Sequence, residues 1–464
     1  MIHIFNHYFP WRLAVLVGLE AIVLLVAAHV GVSLQIGLHS TISAGEVVEP
    51  SEAAAFTLGM VVFMASMGLY QSDQWNNTRC ISARLVVPFV LAVVMVALLA
   101  SFVPWLYPEL VLLGATTMTL ALAGSLSLRA AFHRWSQLGA FKPRVLVLGT
   151  GSRVTKLAEY AQHNPNHQVV GYLATVPGKH YVPSGLVLPR KPEESLLSFA
   201  ERHRINQIVV GVRDRRNGGF PVQELLECRM KGIQVIELPT FLEREYRQVM
   251  LESLNPSWMV LGDGFRQGFF RHMAKRLFDV TVSAVLLLVC IPVLLIAAIC
   301  IYLESGLPVL YRQERVGRGG RVFTLYKLRS MRQDAERDGT AQWAAANDDR
   351  TTRVGRFLRK TRIDELPQIF NVLKGEMSFV GPRPERPVFV DQLAKQIPFY
   401  ALRHSVMPGI TGWAQVRYSY GASVDEAVEK LQHDLYYVKN NSLFLDIMIL
   451  IGTVEVVLWG KGAR

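Results

Sequence analysis

Cysteine is scarce in this 464-residue chain: Cys80, Cys228, Cys290 and Cys300 stand far apart and none belongs to a C-x-x-C pair. That spacing excludes a disulfide framework and a structural metal site, and leaves reduced or buried thiols. Acidic residues are outnumbered by basic ones, 37 against 49, for a formal net charge of +12. The basic excess comes without a basic helix or basic–aromatic interleaving, so no nucleic acid is expected as a partner. Two readings of the charge remain: attraction to anionic lipid headgroups, or binding of a phosphorylated substrate. Nothing polar recurs inside the long apolar runs of the amino-terminal part, which removes support for a transport path.

Apolar residues are abundant, 51% of the chain, and mean hydropathy is +0.25 despite the many Lys and Arg. The two facts agree if apolar residues are concentrated in membrane segments. Four long runs precede residue 130, at Leu13–Ile36, Ala53–Tyr70, Leu85–Val103 and Leu110–Leu128. Each approaches the ~20 residues that a helix needs to cross a bilayer. Arg12, Arg79, Arg84, Arg129, Arg134, Lys142 and Arg144 lie on one side of this pattern. The alternate loops carry Glu46, Glu49, Glu52 and Glu109 and no Lys or Arg. The charge bias places the amino terminus and everything after residue 130 in the cytoplasm. A four-helix transmembrane bundle over residues 1–130, acting as an anchor, is the expectation.

At Arg144 the pattern changes. Val145–Leu148 is a short apolar strand running into Gly149-Thr150-Gly151, with strand-like runs following at Val169–Leu173, Gln207–Gly211 and Gln234–Leu238. Alternation with helical stretches predicts a parallel α/β sheet, a Rossmann-like domain over residues 140–262. Its glycine fingerprint is incomplete, since Val154 stands where G-x-G-x-x-G has its third glycine, and no acidic residue ends the second strand. A module used for assembly or regulation, without a bound dinucleotide, is expected.

Val280–Leu303 is apolar for some two dozen residues, yet both flanks are basic. Arg266, Arg271, Lys275 and Arg276 precede it, and Arg312, Arg315, Arg318, Arg321 and Lys327 follow. Pro292 stands near the middle, where it removes a helix hydrogen bond and bends the axis. Charge on both ends and a bend between them predict a re-entrant helix at about residues 277–303 that turns near Cys290–Pro292 and returns to the same face.

Beyond residue 311 the chain is polar, basic and rich in short motifs. Phe323-Thr324-Leu325-Tyr326-Lys327-Leu328-Arg329 is followed by Arg359-Lys360-Thr361-Arg362-Ile363-Asp364-Glu365-Leu366-Pro367-Gln368, then Gly375-Glu376-Met377-Ser378. Gly381-Pro382-Arg383-Pro384-Glu385 and Pro408-Gly409-Ile410-Thr411-Gly412-Trp413-Ala414-Gln415 close the series. On chemistry alone, Asp364 and Glu365 are adjacent carboxylates at the start of a helix with Pro367 in its first turn. A helix N-terminus favours the ionised carboxylate, the form that a nucleophile takes. Neighbouring side chains on a helix point about 100° apart, which suits one that attacks and one that holds a metal. Arg359, Lys360, Arg362 and Arg383 are suited to clamp phosphate oxygens. A plain helix cap with solvated cations fits the same residues, and chemistry alone leaves both open.

From about Lys275 onward this series resembles the bacterial sugar transferase family, the polyprenyl-phosphate sugar-1-phosphate transferases or monotopic phosphoglycosyl transferases. The layout resembles their long form, which primes exopolysaccharide or O-antigen synthesis. Gly421-Ala422-Ser423 and the terminal Gly462-Ala463-Arg464 resemble the branch associated with exosortase-type loci. The resemblance implies an α-rich catalytic domain over residues 270–464 in a multidomain membrane protein of the bacterial inner membrane, its soluble domains cytoplasmic. It implies that Asp364 attacks a UDP-sugar, releases UMP and passes the phosphosugar to polyprenyl phosphate, with Glu365 holding Mg²⁺. By the same resemblance Arg383 and Arg359 bind phosphate oxygens, Lys327 and Arg329 line the rim, and Gln415 touches nucleotide or sugar. Lys275 and Arg276 meet the lipid phosphate, Pro292 marks the helix break, and the protein is a homodimer among membrane lipids. Two rival readings are a membrane-anchored nucleotide-sugar dehydratase or epimerase and a polysaccharide-assembly scaffold. The first needs a full glycine fingerprint and a Tyr-x-x-x-Lys pair, neither of which the middle domain has.

Overall fold

The computed structural model describes residues 2–4, 7–9, 11–38, 49–70, 85–94, 97, 107–137, 142–155, 157–158, 167–175, 180–191, 193–212, 220–251, 268–333, 350–418 and 423–458. Two compact units emerge: Leu128–Trp258, and Met1–Ser127 together with Met259–Arg464. Cys80, Arg79, Arg84, Gly421, Ala422 and the terminal Gly462-Ala463-Arg464 lie outside the described residues.

The amino-terminal runs form four helices, α1 (Trp11–Leu38), α2 (Pro50–Ser66), α3 (Leu85–Val94) and α4 (Tyr107–Gln137). Leu24 of α1, Met60 and Met64 of α2, Phe89 of α3 and Met118 and Ala121 of α4 share one buried cluster. Of the four, α1 is long and apolar enough to cross a membrane, through Trp11–Leu34. One carboxylate does stand inside it: Glu20 is fully buried in α1.

In the middle unit β1 (Arg144–Leu148), β2 (Gln168–Leu173), β3 (Gln207–Val210) and β4 (Gln234–Glu237) make a wholly parallel sheet in the order β2-β1-β3-β4. Parallel strands need crossovers, which α5 (Leu196–Arg202) supplies between β2 and β3 and α6 (Val222–Met230) between β3 and β4, while α7 (Leu238–Tyr246) follows the last strand. The two faces of β1 accordingly bury alternate residues, Val145 and Val147 on one side, Leu146 and Leu148 on the other. This is the α/β middle that strand–helix alternation predicts.

The remaining chain begins with α8 (Phe269–Ser305), a second helix long and apolar enough to cross a membrane. It is longer than the expected stretch, and every residue from Phe269 to Ser305 is helical, Pro292 included. Protein packing touches it mainly near its ends: Asp279 and Ser283 are buried toward one, Ala297 and Ile301 toward the other. Between them Val285, Leu288, Val289, Leu295 and Ile296 are exposed. An antiparallel hairpin follows, β5 (Leu310–Val316) and β6 (Val322–Leu328), in register from Leu310 opposite Leu328 to Val316 opposite Val322. Then come α9 (Arg353–Lys360) and α10 (Gln368–Lys374), a short parallel pair of β7 (Ser378–Val380) and β8 (Gly409–Thr411), and helices α11 (Pro387–Gln396), α12 (Trp413–Arg417), α13 (Val424–Asn440) and α14 (Leu443–Leu458). A capping box starts α13, Ser423 accepting from the Glu426 N–H while the Glu426 carboxylate accepts from the Ser423 N–H.

Candidate active site

Asp364 and Glu365 stand on a 3₁₀ turn, Ile363–Glu365, between α9 and α10. They precede the helix and do not open it, because α10 starts only at Gln368 with Pro367 as its flanking residue. Arg362 enters the turn in the left-handed region, φ 60°, a conformation that costs about 1–3 kcal/mol for a side-chain-bearing residue. The reversal brings its guanidinium back onto the pair. Both carboxylates are buried, at 6% and 7% exposure.

Three cations converge on one oxygen of Glu365. Arg383 Nη2 lies 2.7 Å from Oε1, Lys327 Nζ 3.1 Å and Arg362 Nη1 3.6 Å. Burial opposes ionisation of Glu365, but Arg383, Lys327 and Arg362 together outweigh it and hold the carboxyl well below the usual range. Asp364 has the opposite balance. Burial raises its pKa, Lys327 opposes this, and the Glu365 charge adds to the rise. Its Oδ1 is buried and makes no hydrogen bond. Burial likewise lowers Lys327, with Glu365 pulling the other way. One carboxylate is thus neutralised in place, and its neighbour keeps an unpartnered oxygen.

Each cation is delivered by a separate fastening. Asn371 of α10 accepts from the Tyr326 N–H at 3.2 Å and donates to Thr324 O and Glu376 Oε2, both at 2.7 Å. This ties α10 to β6 and sets Lys327 beside the dyad. Arg383 follows β7, whose approach to β8 requires glycine: a Cβ on Gly409 would lie 2.1 Å from Gly381 N. The hairpin holds the same segment, as Val316 N–H donates to Glu385 O at 2.9 Å and Arg315 to Pro384 O at 3.0 Å. Arg403 Nη2 donates to Arg383 O at 2.9 Å and pairs with Asp434 at 2.8 Å; both side chains are more than nine-tenths buried.

A cleft lined by Arg362, Arg383, Gln415, Tyr418 and Lys430 adjoins the dyad through Arg362 and Arg383, both of which pair with Glu365. The structure therefore gathers Asp364, Glu365, Lys327, Arg362, Arg383 and Gln415, and adds Arg403, Lys430 and Asp434. The last three had no sequence signal, being cations and a carboxylate in ordinary-looking helical stretches.

Other residues singled out from sequence are placed differently. Arg329 does not line the rim: it is buried, and its Nη2 donates to Ser305 O at 2.8 Å and Gly306 O at 2.6 Å, at the carboxyl end of α8. Lys275 donates to Val380 O at 3.2 Å and pairs with Asp446 at 2.7 Å. Arg276 donates to Val372 O and, at 2.6 Å, to Leu373 O, the last turn of α10. Helix-terminal carbonyls lack partners within the helix, and buried ones recruit nearby donors. Arg276 and Arg329 answer that need, whereas Lys275 bridges a strand carbonyl and the buried carboxylate of Asp446. Arg359 is half-buried in the last turn of α9, and nothing places it against the dyad.

No cluster of three or more His, Cys, Asp or Glu suited to a metal occurs among the described residues. Magnesium, however, commonly takes one or two carboxylates plus substrate phosphates and water. Asp364 and Glu365, adjacent and buried with one Asp364 oxygen unpartnered, fit that pattern.

The profile of a family described as bacterial sugar transferase matches residues 270–460. The chain is 43% identical over 261 residues to a UDP-N-acetylgalactosamine-undecaprenyl-phosphate N-acetylgalactosaminephosphotransferase of Aeromonas hydrophila, covering 56% of this chain and 61% of that protein. It is 34% identical over 349 residues to a UDP-glucose:undecaprenyl-phosphate glucose-1-phosphate transferase of Xanthomonas campestris pv. campestris, covering 72% and 71%. An undecaprenyl-phosphate glucose phosphotransferase of Komagataeibacter xylinus is 33% identical over 327 residues, covering 69% and 60%. The chain thus spans between 60% and 71% of the length of these relatives.

Proposed function

The chain belongs to the bacterial sugar transferase family, and from that premise we propose that it transfers a sugar 1-phosphate from a UDP-sugar to polyprenyl phosphate by way of a phosphosugar-aspartate. The observation that carries the reading is the asymmetry of the dyad: Glu365 fixed by three cations, Asp364 with a buried oxygen that nothing engages.

A carboxylate oxygen of Asp364 attacks the sugar-bearing phosphorus of the donor. The bond from that phosphorus to the bridging oxygen breaks, and UMP leaves with the bonding pair. Arg383 and Lys327 stand where the phosphoryl oxygens gather charge, which is where fixed cations lower the barrier. An oxygen of polyprenyl phosphate then attacks the same phosphorus, the Asp364–phosphorus bond breaks, and the carboxylate is regenerated. Glu365 would hold Mg²⁺, whose chemical contribution is to neutralise the diphosphate. Which sugar is carried is left open, since the relatives named above act on both glucose and N-acetylgalactosamine donors by name.

The lipid acceptor requires the dyad to work at the bilayer surface. The chain is membrane-associated, and for α8 we favour re-entry over crossing. Both of its ends are bolted to the catalytic part: Lys275 and Arg276 to β7 and α10, and Glu304, which accepts from the Arg353 and Val354 N–H groups at 2.8 and 3.0 Å, to the start of α9. A helix whose far end emerged on the opposite face of the membrane could not reach the same helices. The shared core of α1–α4 supports a four-helix membrane bundle, and loop charge supports a multi-pass protein of the inner membrane with its catalytic part cytoplasmic.

The test is UMP release by purified protein given undecaprenyl phosphate, Mg²⁺ and a panel of UDP-sugars. One sugar should support turnover, Asp364→Asn should lower it by about 10³-fold or more, and mass spectrometry of protein with donor alone should place a phosphosugar on Asp364. Turnover that survives Asp364→Asn removes the nucleophile assignment.

A further inference from the structure

The first turns of α8 have two different faces. Phe269, Phe270, Met273 and Leu277 are exposed on one, an apolar surface suited to lipid. Lys275 and Asp279, four residues apart and so one turn above the other, face inward on the opposite side. That inward face meets a single short strand, β7, which leads directly into Gly381-Pro382-Arg383-Pro384. All three residues of β7 are engaged. Asp279 Oδ1 accepts from Ser378 Oγ at 3.0 Å and from the Phe379 N–H at 3.2 Å. Val380 O accepts from Lys275 at 3.2 Å and from the Tyr437 hydroxyl of α13 at 2.9 Å. Asp446 of α14 closes the set, 2.7 Å from Lys275 and 2.8 Å from the same hydroxyl.

Asp279, Ser378, Tyr437 and Asp446 are each more than nine-tenths buried, so water does not replace a bond that is lost. β7 and β8 form only a two-stranded pair of three residues each, too little to hold a strand in place without outside support. What is fixed at Val380 passes on to Arg383 with little slack. Gly381 donates to Thr411 O at 2.9 Å, and a Cβ on it would lie 2.2 Å from Met407 O. Pro382 and Pro384 restrict the backbone on either side of Arg383. Arg383 then reaches Glu365 at 2.7 Å, and a misplacement of about 1 Å at a reacting group costs about 10²-fold in rate.

We propose that the inward face of α8 positions Arg383 for the transfer step, with Asp279, Lys275 and Tyr437 as positioning residues. The helix that meets the lipid thereby also sets the cation that faces the transferring phosphoryl group, and is more than an anchor. This role rests on the proposed reaction for what Arg383 does, but neither on the identity of the nucleophile nor on the sugar.

The experiment is a double-mutant cycle on the full chain in nanodiscs, read by UMP release and corrected for the folded fraction by melting curves. Tyr437→Phe removes one hydrogen bond and should lower kcat about threefold to tenfold. Asp279→Ala strips the Phe379 N–H of its partner and should lower kcat about tenfold to a hundredfold. Asp279→Asn keeps an acceptor oxygen and should restore most of that loss. KM for both substrates should stay within about threefold, as expected when only the transition state is affected. In an Arg383→Gln background Tyr437→Phe and Asp279→Ala should each cost less than about twofold, because the group they position is gone. Losses that multiply with that of Arg383→Gln would make the network structural only and overturn the proposal. Full kcat in Tyr437→Phe would overturn it as well, and this arm stands even where Asp279→Ala does not fold. Undiminished turnover in Arg383→Gln is a different failure: it removes the role given to Arg383 in the proposed reaction, and the positioning role with it.

Discussion

Replacing Arg383 by Gln keeps a hydrogen-bonding side chain and removes the charge nearest the dyad, so its consequences can be worked through both carboxylates. At an effective dielectric of about 20, a unit pair at the 2.7 Å separation of Arg383 and Glu365 attracts by about 6 kcal/mol before any desolvation. Lys327 and Arg362 remain at 3.1 and 3.6 Å, and Arg383 is a quarter exposed. The net loss is accordingly set near the value of one charged hydrogen bond, about 1.5–3 kcal/mol. Catalytically, loss of a fixed cation facing the transferring phosphoryl group predicts a fall in kcat of about 10²–10³. The pH profile tests the reasoning more sharply. Asp364 must be ionised to attack, and burial has already raised its pKa, with Lys327 and Arg383 among the charges that restrain the rise. Removing Arg383 lets the pKa climb further, so the acidic limb of the rate profile should move to higher pH. For Glu365 the folded pKa is depressed, so its stabilising contribution is present above its unfolded value and lost as pH falls through the folded one. Arg383→Gln should remove part of that contribution at neutral pH and lower the midpoint of thermal unfolding. UMP release followed from about pH 5 to about pH 9, with melting curves over the same range, reads both effects. An acidic limb that stays in place or moves to lower pH would refute the assignment of Asp364 as the titrating nucleophile.

Two further substitutions probe how the site is assembled. Asn371→Leu strips Tyr326 N and Thr324 O of their buried partner and should cost about 2–4 kcal/mol; activity should fall with it as Lys327 drifts from Glu365. An unchanged melting temperature would show that α10 and β6 are held by something else. Gly409→Ala places a methyl group 2.1 Å from Gly381 N, inside the β7–β8 pair. It should abolish folded, active protein at physiological temperature, whereas Gly268→Ala, where an added Cβ meets nothing within 4 Å, should be tolerated; limited proteolysis distinguishes the two.

Much of the architecture is legible along the chain because it depends on local period and charge. Four apolar runs become α1–α4, and the alternation after Arg144 becomes a parallel sheet because a strand buried on both faces must be apolar throughout. The dyad is also visible, as adjacent carboxylates among cations. Its local geometry is not: the helical start expected at Asp364 is a 3₁₀ turn entered through a left-handed Arg362, a conformation that only the packing of α9 and α10 around it maintains.

The sequence by itself determined which groups could do chemistry: the Asp364–Glu365 pair, the Arg383 and Lys327 motifs around it, and the apolar segments that bring them to a membrane. Only the tertiary structure decided which cations those carboxylates meet. Lys275, Arg276 and Arg329 read like ligands for phosphate, yet Arg276 and Arg329 bond carbonyls at helix ends and Lys275 bonds the Val380 carbonyl of β7 and Asp446. Arg403, Lys430 and Asp434 read like nothing in particular, yet they line the cleft beside Arg383. The reason is physical. A cation's partner is fixed by which buried acceptor lacks one, and that is settled only when distant segments pack and exclude water.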